Sequence, residues 1–151
     1  MEKFKVGYKT NIMKLEYIVL VDDSPAVNYY NKLLIEKSGI CSQVFTFTNA
    51  KKALTFVLDP EYKEKIDLLL LDVNMPEVTG IDFLRTFNQK ISVNDKRPII
   101  AMLTQGINTR NYSITKDSLG ANEYINKPLD LEDIEDIRYE YFSNKNPFKE
   151  S

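Results

Sequence analysis

Leu68-Leu69-Leu70-Leu71-Asp72 is a block of four leucines that ends on a carboxylate. It lacks the alternation of a strand with one wet face, so it reads as a strand buried on both faces, as in parallel sheets. Outward from it the pattern recurs. Ile18-Val19-Leu20-Val21 runs into Asp22-Asp23, and Ile99-Ile100-Ala101-Met102-Leu103 runs into Thr104. A weaker run, Glu123-Tyr124-Ile125-Asn126, delivers Lys127-Pro128. If these four strands are parallel, their C-terminal ends share one edge. Three carboxylates, a hydroxyl and an ammonium then converge in the crevice where open α/β sheets bind ligands.

The segments between the runs carry helix signals, which gives the alternation expected of βαβ units. Ser24 is a cap with Pro25 in the first turn, and Val27, Tyr30, Leu33 and Leu34 repeat at helical spacing until Ser38-Gly39. Val44, Phe45 and Phe47 suggest another strand, followed by a helix through Ala50, Ala53, Leu54, Val57 and Leu58 that Asp59-Pro60 closes. Gly80 opens a helix whose expected inner face is Ile81, Leu84 and Phe87, and Gln89 to Arg97 reads as a polar loop. A less periodic helix is expected over roughly Thr109 to Leu119, ended by Gly120. Asp130 caps the last helix, Leu129 and Ile134 staple it, and Leu131, Ile134, Ile137 and Tyr141 form its stripe. The expected organisation is an N-terminal extension (1–14), one domain (15–142) and a polar tail (143–151), with no output domain.

Composition narrows the chemistry. A net charge of −2 gives no global field toward nucleic acid or anionic membrane, so neither is an expected partner. The chain has no His, which removes the usual general base and the Ser/His and Cys/His nucleophile systems. Cys41 is the single cysteine, so no intramolecular disulfide or Cys-based metal site is possible, and a cytoplasmic location is expected. No apolar stretch approaches the roughly 20 residues of a membrane span. Clustered carboxylates without His or Cys suit a hard divalent cation, Mg²⁺ or Mn²⁺. With Lys127 added, they suit stabilisation of a phosphoryl group moving onto an Asp, a transfer that rests on positioning and charge neutralisation.

Taken in order, Asp22-Asp23, Asp72-Val73-Asn74-Met75-Pro76 through Gly80, Thr104 and Lys127-Pro128 resemble the receiver domains of bacterial two-component response regulators. The likeness spans about Tyr17 to Tyr141. It implies a flavodoxin-like, doubly wound sheet of five parallel strands in the order 2-1-3-4-5, with helices on both faces. It also implies that Asp72 is the phosphoacceptor. Asp23, Asp72 and the Asn74 backbone carbonyl would bind Mg²⁺ (or Mn²⁺) directly, and Asp22 through water. Lys127 would pair with the phosphoryl group, and Thr104 and Tyr124 would switch position on its arrival. Implied partners are a sensor histidine kinase or histidine phosphotransfer protein, and a downstream protein on the face of the fourth helix, fifth strand and last helix. That face includes Ile107, Arg110, Tyr112, Lys116 and Tyr124. Gln105 departs from the family, which usually has a small residue after the switch Thr, and it bears on phosphate lifetime and on the Tyr124 rotation.

Each of these residues alone has an ordinary structural explanation: Asp22-Asp23 as a loop, Asp72 as a turn cap, Lys127 as a solvated side chain. Their joint order at strand ends is what points to a site. The expected function is a phosphoacceptor signalling by protein contact, with self-catalysed phosphotransfer and dephosphorylation only. Alternatives are a phosphorylation-independent binding module and a phosphorelay intermediate or phosphate sink. A phosphatase on external substrates would need an acid two residues after Asp72, where Asn74 stands. A flavodoxin-like cofactor site would not place Asp22-Asp23 against a phosphate.

Overall fold

The computed structural model describes residues 13–106 and 112–143. Its strands are β1 (Leu15–Val21), β2 (Cys41–Phe47), β3 (Ile66–Asp72), β4 (Ile99–Thr104) and β5 (Glu123–Asn126). Its helices are α1 (Pro25–Ser38), α2 (Ala50–Leu58), α3 (Gly80–Lys90), a π-helical turn α4 (Ile114–Ser118) and α5 (Leu131–Phe142). The sheet runs β2-β1-β3-β4-β5, and every pair is parallel, the order the sequence resemblance implied.

The continuous apolar runs follow from burial on both faces. Leu68 and Leu70 join Ile18, Leu20 and Leu103 in a core with Ile35 of α1 and Ile134 and Ile137 of α5. Leu69 and Leu71 face the other way, into a core with Val57 of α2 and Phe83, Leu84 and Phe87 of α3. Adjacent residues of one strand thus serve opposite layers, and neither set can be polar. The ends of α1 follow the expected signals. Ser24 Oγ accepts from the Val27 amide, and Gly39 closes the helix at φ 71, a left-handed conformation that favours Gly. At α5, Asp130 and Asp133 form a reciprocal capping box, and Leu129 packs in the same core as Ile134.

Four local expectations need correction. The buried face of α1 is Asn28, Asn31 and Ile35, while Val27, Tyr30 and Leu33 are exposed. The buried residues of α3 are Gly80, Phe83, Leu84 and Phe87, with Ile81 only half-buried. Strand β2 starts at Cys41, before the expected apolar triplet, and α3 runs on through Lys90. Cys41 is buried at that strand start, and burial pushes its thiol up to about 11. Thr109 and most of the residues assigned to the N-terminal extension and C-terminal tail lie outside the described residues.

Candidate functional site

Strand register brings the expected residues to one edge. Val21 lies beside Phe47 and Leu71, Asp72 beside Leu103, and Thr104 beside Asn126. The next residues, Asp22-Asp23 and Lys127, therefore leave the sheet together. Asp22, Asp23 and Asp72 each offer a carboxylate oxygen, and these oxygens lie within 4.8 Å of one another. Asp22 and Asp72 are buried and Asp23 is exposed, so the cluster has two fixed walls and one side open to solvent.

Lys127 holds the buried pair together. Its Nζ is 3.0 Å from Asp22 Oδ2 and 3.1 Å from Asp72 Oδ1. Its backbone amide donates to the Thr104 carbonyl at 2.8 Å, which sets β5 against β4 just below the ammonium. Burial works to lower the Lys127 pKa, but its bonds to Asp22 and Asp72 outweigh it and the net shift is upward. For Asp72, burial is the largest influence and raises its pKa, the Lys127 bond opposes it, and the Asp22 charge adds to the rise. A divalent cation would relieve the same strain between charges, and three hard oxygen donors with an open side fit Mg²⁺ or Mn²⁺.

Asp22 is anchored at four atoms. Its amide donates to the Phe47 carbonyl, its carbonyl accepts from Asn28 Nδ2, Oδ1 accepts from the Ser24 amide, and Oδ2 meets Lys127. Asp72 Oδ1 also accepts from the Asn74 amide at 3.1 Å, so the loop after β3 folds back over the carboxylate. Thr104 is buried, and its hydroxyl donates to the Gly106 carbonyl at 2.7 Å. Tyr124 is half-buried and stacks edge-on with Tyr112, ring centroids 4.9 Å apart. Lys116 lies 5.6 Å from the Tyr112 ring centroid and donates to the Asn122 carbonyl.

Gln105 is exposed and lines a groove of about 420 Å³ with Val27, Tyr30, Asn31, Lys127 and Pro128. Tyr124 lines a different groove, against α5, with Asp133, Asp136 and Glu140. Two of the expected output-face residues, Ile107 and Arg110, lie outside the described residues. Sequence reading missed Asn28, whose place on a helix looked like a polar face. It also missed Asp67, buried at the opposite end of β3, which pairs with Lys96 and accepts from the Glu16 amide at 2.7 Å.

The family model for the response regulator receiver domain matches residues 18–138. The chain belongs to that family. Among the receiver's relatives, sporulation initiation phosphotransferase F of Bacillus subtilis is 29% identical over 133 residues, covering 88% of this chain and 98% of that protein. The two-component response regulator ORR1 of rice (Oryza sativa subsp. japonica) is 32% identical over 125 residues, 80% of this chain. The chain spans about half the length of that protein, 53%. A two-component response regulator from Cytophaga hutchinsonii shares the fold at a TM-score of 0.74 and 20% identity, covering 82% of this chain and 94% of that one. The receiver domain of the histidine kinase CKI1 from Arabidopsis thaliana, solved complexed with Mg²⁺, matches at a TM-score of 0.71 and 19% identity, covering 85% and 94%. A receiver is a signalling domain, not a conventional enzyme.

Proposed function

We propose that this receiver accepts a phosphoryl group on Asp72 and signals by phosphorylation-dependent protein contact, with Mg²⁺ or Mn²⁺ held by Asp22, Asp23, Asp72 and the Asn74 carbonyl. The observation that carries the reading is the Lys127 ammonium set between Asp22 and Asp72 beside an open three-carboxylate cluster. In the transfer, an Asp72 carboxylate oxygen bonds to phosphorus as the phosphorus–nitrogen bond of a phosphohistidine breaks. The departing ring nitrogen keeps the electron pair, and the histidine is left neutral because its other ring nitrogen carries a proton in the phosphohistidine. Asp72 must be ionised to attack, and Lys127 both keeps it so and meets the charge on the phosphoryl oxygens. The cation, when bound, supplies further neutralisation of those oxygens. Asn74, two residues after Asp72, cannot donate a proton as an acid, which argues against turnover of external phosphoesters.

The proposed donor is a sensor histidine kinase or a histidine phosphotransfer protein. In support, Val27, Tyr30 and Leu33 leave an apolar strip exposed on α1, and the adjoining groove reaches Lys127. The proposed output face is α4, β5 and α5, where Tyr112 meets Tyr124. Thr104 would give up its bond to Gly106 to reach a phosphoryl group, freeing space toward Tyr124. A cytoplasmic setting goes with this reading, and no helix among the described residues is long and apolar enough to cross a membrane.

The test is incubation with a small phosphodonor and Mg²⁺, followed by intact mass. Wild type should gain one phosphoryl group and Asp72→Asn none; no gain in wild type, or an equal gain in both, overturns the proposal. A partner that binds both states equally would move the chain to a phosphorylation-independent binding module.

A further inference from the structure

Asn28 stands where a core residue belongs. It is only 4% exposed, on the face of α1 that packs against the sheet, and a leucine would serve the core there. Its side chain does something a leucine cannot. Nδ2 donates to the Asp22 carbonyl at 3.0 Å and to the Phe47 carbonyl at 3.1 Å. Both amide hydrogens are thus used, while Oδ1 is buried with no partner. The opposite amide orientation would set an oxygen against two carbonyl oxygens, so the donor arrangement follows from the acceptors. Leaving an acceptor orphaned is costly, and the double donation is what the structure obtains for that cost.

The Asp22 carbonyl lies just past the end of β1, and the Phe47 carbonyl is on the last residue of β2. The Asp22 carbonyl belongs to the peptide plane that joins Asp22 to Asp23, so anchoring it fixes the direction in which the chain enters Asp23. Asp23 is exposed, and no packing around its side chain does that job. The Asp22 side chain already has the Ser24 amide and Lys127 to hold it.

We infer that Asn28 is the positioning residue of the cation-binding corner: by clamping the ends of β1 and β2 it aims Asp22 and Asp23 at the metal. The inference rests on the reading of the carboxylate cluster as a divalent-cation site. Groups that orient ligands from behind typically change metal affinity about 10- to 100-fold when removed, and the same is expected here. Asn31 supplies a control, being one turn further along the same buried face and equally buried, with no bond to Asp22 or Phe47.

The experiment is Mn²⁺ titration of the full chain, with free Mn²⁺ read by electron paramagnetic resonance, alongside thermal melts in chelator. Asn28→Leu should weaken Mn²⁺ binding by about tenfold or more, and Asn31→Leu should leave it unchanged even if its melting point falls as far. Should Asn28→Leu not fold, Asn28→His retains one ring N–H for one of the two carbonyls and should bind with intermediate affinity. Wild-type affinity in Asn28→Leu or Asn28→His, or an equal loss in Asn31→Leu, overturns the positioning role. A wild-type chain that binds no Mn²⁺ overturns the cation reading itself.

Discussion

Gly80→Ala tests how tightly α3 is set against β3, the strand that ends on Asp72. Gly80 opens α3, and its amide donates to the Val73 carbonyl at 2.9 Å, which draws the helix start onto the residue after Asp72. A Cβ placed there would lie 2.4 Å from the Asp72 carbonyl oxygen, 3.0 Å from Val73 Cα and 3.1 Å from the Asp72 carbonyl carbon. Ordinary contact begins at 3.4 Å, so 3.4 − 2.4 leaves 1.0 Å to be found by moving backbone, because no flexible side chain is involved. Overpacking of this kind costs about 1–3 kcal/mol. Alanine otherwise favours a helix over glycine by roughly 0.5–1 kcal/mol, so the two effects oppose and the clash should prevail. Urea denaturation should show a net loss of about 1–2 kcal/mol. Phosphorylation from a small donor should slow by up to about 100-fold, since a displacement of roughly 1 Å at a reacting group has that scale. A variant as stable as wild type and phosphorylated at the wild-type rate would refute the close approach of α3 to β3.

In Asp72→Asn the buried carboxylate can no longer ionise. Because burial raises the Asp72 pKa in the folded state, its contribution to stability is present below the ordinary carboxylate value of about 3.9 and is lost as pH rises through the raised folded value. The variant should therefore melt above wild type at pH 7 in chelator and close the gap toward pH 4, with Mg²⁺ reversing the order; a difference independent of pH would contradict this. Lys127→Met removes the cation between two buried carboxylates and should cost about 3 kcal/mol in chelator at pH 7. That cost should shrink at acid pH as Asp72, whose pKa burial raises, takes up a proton, which paired urea titrations would show. Tyr30→Glu places a charge on the exposed strip of α1. It should slow transfer from a phosphohistidine protein by about 30-fold, the scale of an interface hot spot, and leave transfer from a small phosphodonor unchanged in single-turnover assays.

The apolar runs, the Ser24 and Asp130 caps and the polar residues at the strand ends were legible in one dimension, whereas the Asn49 cap of α2 and the Thr79 capping box of α3 were not read. A strand buried on both faces needs several consecutive apolar residues, and helix ends need capping residues such as Ser24 and Asp130 at defined offsets. Those requirements are local, so sequence alone determined an α/β chain with Asp22, Asp23, Asp72, Thr104 and Lys127 at strand ends. The order of the strands was not among them; it came from resemblance to a family, because which strand pairs with which is settled by packing between distant residues. Periodicity misassigned α1 for a related reason. Val27, Tyr30 and Leu33 repeat as a core stripe would, yet the Asp22 carbonyl just past β1 calls for a donor, and Asn28 faces it, sharing the Phe47 carbonyl of β2 with the Asp22 amide. Only the tertiary structure could set that demand, since Asp22 and Phe47 meet solely through strand pairing. The same holds for Lys127, whose place 105 residues beyond Asp22 becomes a 3.0 Å contact once β3 and β4 fill the space between β1 and β5.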